Sequence, residues 1–156
     1  MRPRLLAAVT ALVLSAGASV AVAQEATHLD IAAVVNARRD TMKATKDFMK
    51  ELGLMIEEGE NFDAGRVADL TAKVRDNLAK IPVQFPEGSL IAGSEAKQDV
   101  WDAPEDFARL TREADVAAKA LADRAALDSD PEGLQRAFKD VALSCRACHK
   151  VYKKPF

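Results

Sequence analysis

Both cysteines of this 156-residue chain fall in one short segment, Ser144-Cys145-Arg146-Ala147-Cys148-His149, with only seven residues after it. Two cysteines this close cannot staple distant parts of a chain, so the fold must be held by an apolar core rather than a disulfide framework. The rest of the chain shows what that core is made of. Alanine is abundant, aromatic residues make up 5%, and no run alternates apolar and polar residues long enough for a strand. The expected class is all-α.

Four amphipathic segments follow one another. The first helix is expected from Leu29 to Glu58, with Ile31, Val34, Val35, Met42, Phe48, Leu52, Met55 and Ile56 at three-to-four spacing, until Gly59 and Asn61 break it. A second, from Ala64 to Lys80, carries Val67, Leu70, Val74 and Leu78, and Ile81-Pro82 ends it. Residues Pro82 to Gln98 read as a loop interrupted by Pro86, Gly88 and Gly93, long enough to cover a cofactor. Asp102 is expected to cap a third helix, with Pro104 in its first turn and Glu105 completing a capping box. Its stripe is Phe107, Leu110, Ala114, Ala117, Leu121 and Ala125. Asp130-Pro131 repeats the start signal, and the fourth helix runs to about Tyr152 with Leu134, Phe138, Val141, Cys145, Cys148 and Tyr152 inward. The default architecture is an antiparallel four-helix bundle.

The N-terminus has its own logic. Met1-Arg2-Pro3-Arg4, an apolar run from Leu5 to Val13, and Ala21-Val22-Ala23 form a secretory signal peptide, residues 1–23, with cleavage expected after Ala23. Residues 24–156, beginning at Gln24, are then one domain. Pro3 separates the two arginines, so this is not a twin-arginine signal, and the expected destination is the bacterial periplasm, reached unfolded with any cofactor attached there. Past Ala23 no apolar run reaches membrane-spanning length. The formal net charge of the whole chain is -2, and the signal removes two of its 22 basic residues, so nothing favours nucleic-acid binding.

On a helix, Cys145 and Cys148 share a face and His149 follows on the adjoining edge. Cys-x-x-Cys-His is the attachment signature of c-type haem: two sulfurs at thioether spacing for the vinyl groups, and an imidazole for the iron. The expectation is one covalently bound haem c per chain, near the C-terminal helix. A thioredoxin-type pair would need a sheet around it. A structural zinc site needs four ligands, and the only other histidine is His28. A plain disulfide leaves His149 without a role.

Together with Arg38-Arg39-Asp40-Thr41-Met42, Asn61-Phe62-Asp63-Ala64, Ile81 to Pro86, and Val100-Trp101, the motif makes the chain resemble class II cytochrome c, the family of cytochromes c' and cytochrome c-556. The resemblance implies that Met42, at the position of the c-556 methionine, is the second iron ligand of a low-spin haem. Members of the c' branch usually have an apolar residue there and a five-coordinate iron. It also implies that Arg38 lies close to a haem propionate and that Trp101 and Phe85 pack on the porphyrin. Read from the residues alone, Arg38 interrupts an apolar stripe and must either find a counter-charge or snorkel to water. Met42 competes with ordinary core filling, the reading given to Met49 and Met55. Trp101 and Phe85 would be buried in any small core. His28 is expected to be a solvated surface residue, and Arg146, Lys150, Lys153 and Lys154 are either a solvated helix end or a docking patch for an acidic partner.

The expected function is a periplasmic one-electron carrier with a His149/Met42-ligated haem and redox proteins as partners, not an enzyme. The alternative is a five-coordinate binder of nitric oxide or carbon monoxide. A peroxidase would need a distal acid–base group that the sequence does not offer. The family includes dimers formed through the first two helices, and the sequence leaves a homodimer open.

Overall fold

A computed structural model describes residues 21–57, 62–127 and 130–155, with side chains from Ile31 onward. The signal peptide assigned to residues 1–23 therefore lies outside the described residues up to residue 20, as do Gly59 and Asn61, and the side chain of His28. The chain order is α1 (Ala21–Ile56), α2 (Ala64–Lys80), a 3-10 turn (Ile81–Gln84), the single-turn α3 (Asp99–Asp102), α4 (Pro104–Ala125) and α5 (Pro131–Tyr152). The four long helices form an up-and-down bundle in which α4 packs most extensively on α5 and α2, and α1 on α2. No strand occurs among the described residues, and no helix there is long and apolar enough to cross a membrane.

The core follows the expected stripes. Leu52, Val67, Leu70, Ala118, Leu121 and Val141 are completely buried, and Leu truncation at such sites costs about 2–5 kcal/mol. Ala118 takes the core position on α4 that the expected stripe assigned to Ala117, which is only partly buried. The helix starts differ from one another. Asp63 caps α2, its carboxylate accepting from the Arg66 amide at 3.0 Å. Asp130 caps α5, accepting from the Gly133 amide at 2.8 Å.

Asp102, by contrast, does not cap α4. Pro104 disfavours helical backbone at the residue before it, so the break falls on Ala103 (φ -131°, ψ 59°). Asp102 is left as the last residue of α3, accepting from Gln98 Nε2 at 3.1 Å. Ala103 has no side chain to complete a capping box with Glu105. The α4 N-terminus relies instead on Pro104, which lacks an amide proton, and on Glu105 and Asp106 beside the helix dipole.

The long connection is more ordered than its composition suggests. Gly88 (φ 76°) and Gly93 (φ 82°) take the left-handed conformation that only glycine adopts without strain. Each is followed by a buried serine, Ser89 and Ser94. The loop ends by pairing with the tail of α5: the Lys97 amide donates to Tyr152 O at 2.9 Å and the Lys154 amide to Glu95 O at 2.8 Å.

Candidate functional site

The last two turns of α5 carry the motif. Cys145 and Cys148 are free, half-buried, and packed against the core on the inward face. Burial pushes the Cys145 thiol up, and the Cys148 thiol is pushed up to about 11, first by burial and then by Cys145 and Asp106. Both sulfurs are thus neutral thiols at pH 7, the reverse of a redox-active pair, whose nucleophile is held as thiolate. His149 lies on the outer edge. Partial desolvation lowers its pKa, with Lys153 adding to the effect and Glu95 opposing it, which favours the neutral imidazole that a metal requires. Among the described residues no three His, Cys, Asp or Glu side chains gather to hold a metal ion, so the zinc alternative finds no ligand set.

Tyr152, four residues after Cys148, is buried and donates its hydroxyl to Asp106 Oδ2 at 2.7 Å. Burial and this bond push the phenol up to about 12. The Tyr152 hydroxyl and then Arg109 hold the Asp106 carboxyl below its usual range. An aromatic row leads from there to α1. Tyr152 meets Phe107 edge-on with centroids 5.1 Å apart, Phe107 meets Phe85 at 5.0 Å, and the Arg38 guanidinium sits 4.6 Å from the Phe85 ring centre. Trp101 is tilted against Phe85 at 6.2 Å and donates its indole N–H to the Phe85 and Pro86 carbonyls, both at 3.1 Å. Phe85 and Trp101 are therefore neighbours in one aromatic cluster.

Arg38 is only 4% exposed, so it does not snorkel. Its Nη1 donates to Ser89 Oγ at 3.1 Å and Gln84 O at 3.4 Å, and its Nη2 to Ser89 O at 2.9 Å and Ser94 Oγ at 2.6 Å. Desolvation lowers its pKa, yet a guanidinium stays charged. Every one of these acceptors is neutral. A buried cation held by neutral oxygens alone is a costly arrangement that an anion would relieve. Beside it, Gln84 Nε2 donates to Thr41 Oγ1 at 2.9 Å, while Gln84 Oε1 is buried without a partner.

Met42, one turn beyond Arg38 on α1, is half-buried against the core, as are Phe85, Trp101, Cys145 and Cys148. Met49 is likewise half-buried, and Met55 is fully inside. Sequence reasoning missed Gln84, Ser89, Ser94 and the Tyr152–Asp106 pair. The serines left one trace, the repeated Gly88-Ser89 and Gly93-Ser94, where a left-handed turn delivers a small hydroxyl inward. Of the four basic residues around the motif, Lys153 pairs with Glu95 at 3.2 Å and Lys154 Nζ donates to Ser94 O at 2.9 Å. These two fasten the loop to the helix end, and Arg146 and Lys150 remain exposed.

Two neutral thiols one turn apart, an imidazole on the adjoining edge and a buried guanidinium without a carboxylate suit a haem with anionic propionates. An all-α bundle bearing the thiols and imidazole on its last helix and the guanidinium on its first defines a class of haem-carrying bundle proteins. The comparisons agree. A family model described as Cytochrome C' matches residues 33–153. The chain is 31% identical over 125 residues to a cytochrome c' of Rhodospirillum rubrum, covering 80% of this chain and 84% of that protein. It is 32% identical over 149 residues to a cytochrome c-554 of Cereibacter sphaeroides, covering 92% and 94%. The solved structure of a cytochrome c prime from Shewanella frigidimarina superposes with a TM-score of 0.73 at 26% identity, over 80% of this chain and 97% of that one. The chain belongs to the cytochrome c' family of class II cytochromes c. Membership implies covalently bound haem c and a role in electron transfer or gas binding rather than enzymatic catalysis.

Proposed function

We propose that this protein is an exported one-electron carrier of the periplasm, released from a signal peptide at Ala23 and holding a single haem. In this reading Cys145 and Cys148 form the two thioethers, His149 is the proximal ligand, Met42 the distal one, and Arg38 receives a propionate. Bound there, the haem supplies an Fe(III)/Fe(II) couple, and an unblocked iron face would add affinity for diatomic gases.

The observation that carries the reading is Arg38, a buried cation with four neutral hydrogen-bond partners and no carboxylate among the described residues. Arg38 would hold a propionate and Cys145 and Cys148 would hold the ring through thioethers, with Met42 a single helical turn beyond Arg38 on α1. The protein's own residues do the rest. Ser89 and Ser94 hold the guanidinium in place, Phe85 and Trp101 exclude water beside it, and Tyr152 ties the motif-bearing turn to α4.

A second reading, a five-coordinate binder of nitric oxide or carbon monoxide, is favoured by the similarity to proteins named cytochrome c'. One measurement separates the two. The reduced protein with Met42 bound has a low-spin spectrum that carbon monoxide changes slowly and incompletely. A high-spin spectrum with rapid, complete carbon monoxide binding overturns the carrier and leaves the gas binder.

A further inference from the structure

The outer face of α5 carries a feature that the bundle does not use. Lys139, Leu143, Arg146 and Lys150 recur at steps of four, three and four and so lie along one side of the helix. All four are exposed, and Leu143 is 57% exposed. From Lys139 to Lys150 the stripe is about 16 Å long, at the rise of an α-helix. His149 borders it three residues after Arg146.

The charges around the stripe add up to a positive surface. Several exposed arginines of α2 and α4 are matched to carboxylates, Arg66 to Glu51, Arg75 to Asp115 and Arg109 to Glu113, whereas the exposed Arg39 and Arg112 stand apart from one another on different helices. Lys139, Arg146 and Lys150 make no ion pair among the described residues. Lys97 adds a further cation, its Nζ donating to Lys150 O at 3.2 Å. The opposing groups are few. Asp140 flanks the stripe, Glu95 is engaged by Lys153, and Glu132 faces Arg136 at 3.6 Å. In a chain of net charge -2, this is a local basic face with an apolar centre.

We infer that this face of α5 is the docking surface for an acidic electron-transfer protein, with Leu143 as the apolar contact and Lys139, Arg146, Lys150 and Lys97 as the steering charges. The inference rests on the carrier reading and gives it a partner class. Opposite charge raises the rate of encounter, and a small apolar centre lets the complex form without making it long-lived, as a carrier that must leave again requires. Lys153 and Lys154 are outside the surface because both are already bound to the 94–95 loop.

The test uses the full haem-loaded protein, isotope-labelled, and a flavodoxin as the acidic one-electron probe. At low salt, where the Debye length is about 30 Å, amide shifts should change at residues 136–151 and at Lys97, and they should vanish at high salt, where it is about 3 Å. The combined variant Lys139→Glu, Arg146→Glu, Lys150→Glu should slow the second-order reaction with the probe at low salt by about tenfold or more. The same charge change on α1, Lys43→Glu, Lys46→Glu, Lys50→Glu, should slow it by less than about threefold, because only net charge is altered. Shifts that map to α1 or α2, or equal slowing by both triple variants, overturn the surface. Salt-sensitive docking on α5 without haem reduction keeps the surface and overturns the carrier. Reduction of the α5 variant at the wild-type rate does the opposite.

Discussion

The two ends of the candidate site are built in opposite ways. The α5 end comes from one stretch of chain, Cys145 to Tyr152, and its groups are placed by helical repeat alone. The α1 end is assembled from Arg38, Gln84, Ser89 and Ser94, which the chain brings together across 56 residues of sequence separation. The first end holds neutral, desolvated thiols, and the second holds a desolvated charge. The contrast teaches that covalent attachment can be specified locally, whereas a buried charge needs a whole loop shaped around it.

The largest expected effect is at the local end. Cys148→Ala removes one of two sulfurs at thioether spacing, and the yield of covalently bound haem, read by absorbance after acid extraction, should fall at least several-fold. Retention of wild-type amounts would break the assignment of this end. At the other end, Arg38→Met in the haem-loaded protein should lower stability by about 3–5 kcal/mol in denaturant unfolding, the range for breaking a buried ion pair. An unchanged or raised stability would mean that Arg38 faces no anion, since removing an unpaired buried charge is favourable.

Met42 and Met55 sharpen the difference further. Met55→Ala should cost about 2–5 kcal/mol as a core cavity, with the haem spectrum unchanged. Met42→Ala should cost less packing, because Met42 is only half-buried, yet convert the haem to high spin and open it to carbon monoxide. Loss of stability without a spectral change at Met42 would reduce it to core filling.

The Tyr152 phenol, raised to about 12 in the folded chain from about 10 when unfolded, favours the folded state fully below pH 10. That contribution is lost as pH rises from 10 toward 12. Unfolding measured across this window should show a decline that Tyr152→Phe flattens; identical slopes would remove Tyr152 from the fastening of α5. The smallest effect compares the two helix starts. Asp130→Ala should cost about 1 kcal/mol as a lost cap, while Asp102→Ala, which caps nothing, should stay within about 0.5 kcal/mol as an ordinary surface change.

The helices, their stripes and the attachment motif are legible in the sequence because each depends on neighbours three or four residues apart, and such spacing maps directly onto one face of a helix. Phe85, Trp101, Met42 and Arg38 were reached through the resemblance, and the structure joins Phe85, Trp101 and Arg38 in one cluster. What only the tertiary structure decided is how Arg38 is held, why Asp102 fails as a cap, which alanine of α4 enters the core, and which lysines are already engaged. Gln84, Ser89 and Ser94 carry no periodic signal, since their meeting with Arg38 is set by two left-handed glycine turns and the pairing of the loop with Lys153. The capping of α4 turned on a single residue of register, where Pro104 moved the break to Ala103. Local periodicity determines which face a residue takes, but the partners of a buried charge are set by packing between segments distant in sequence, and only the folded chain contains them.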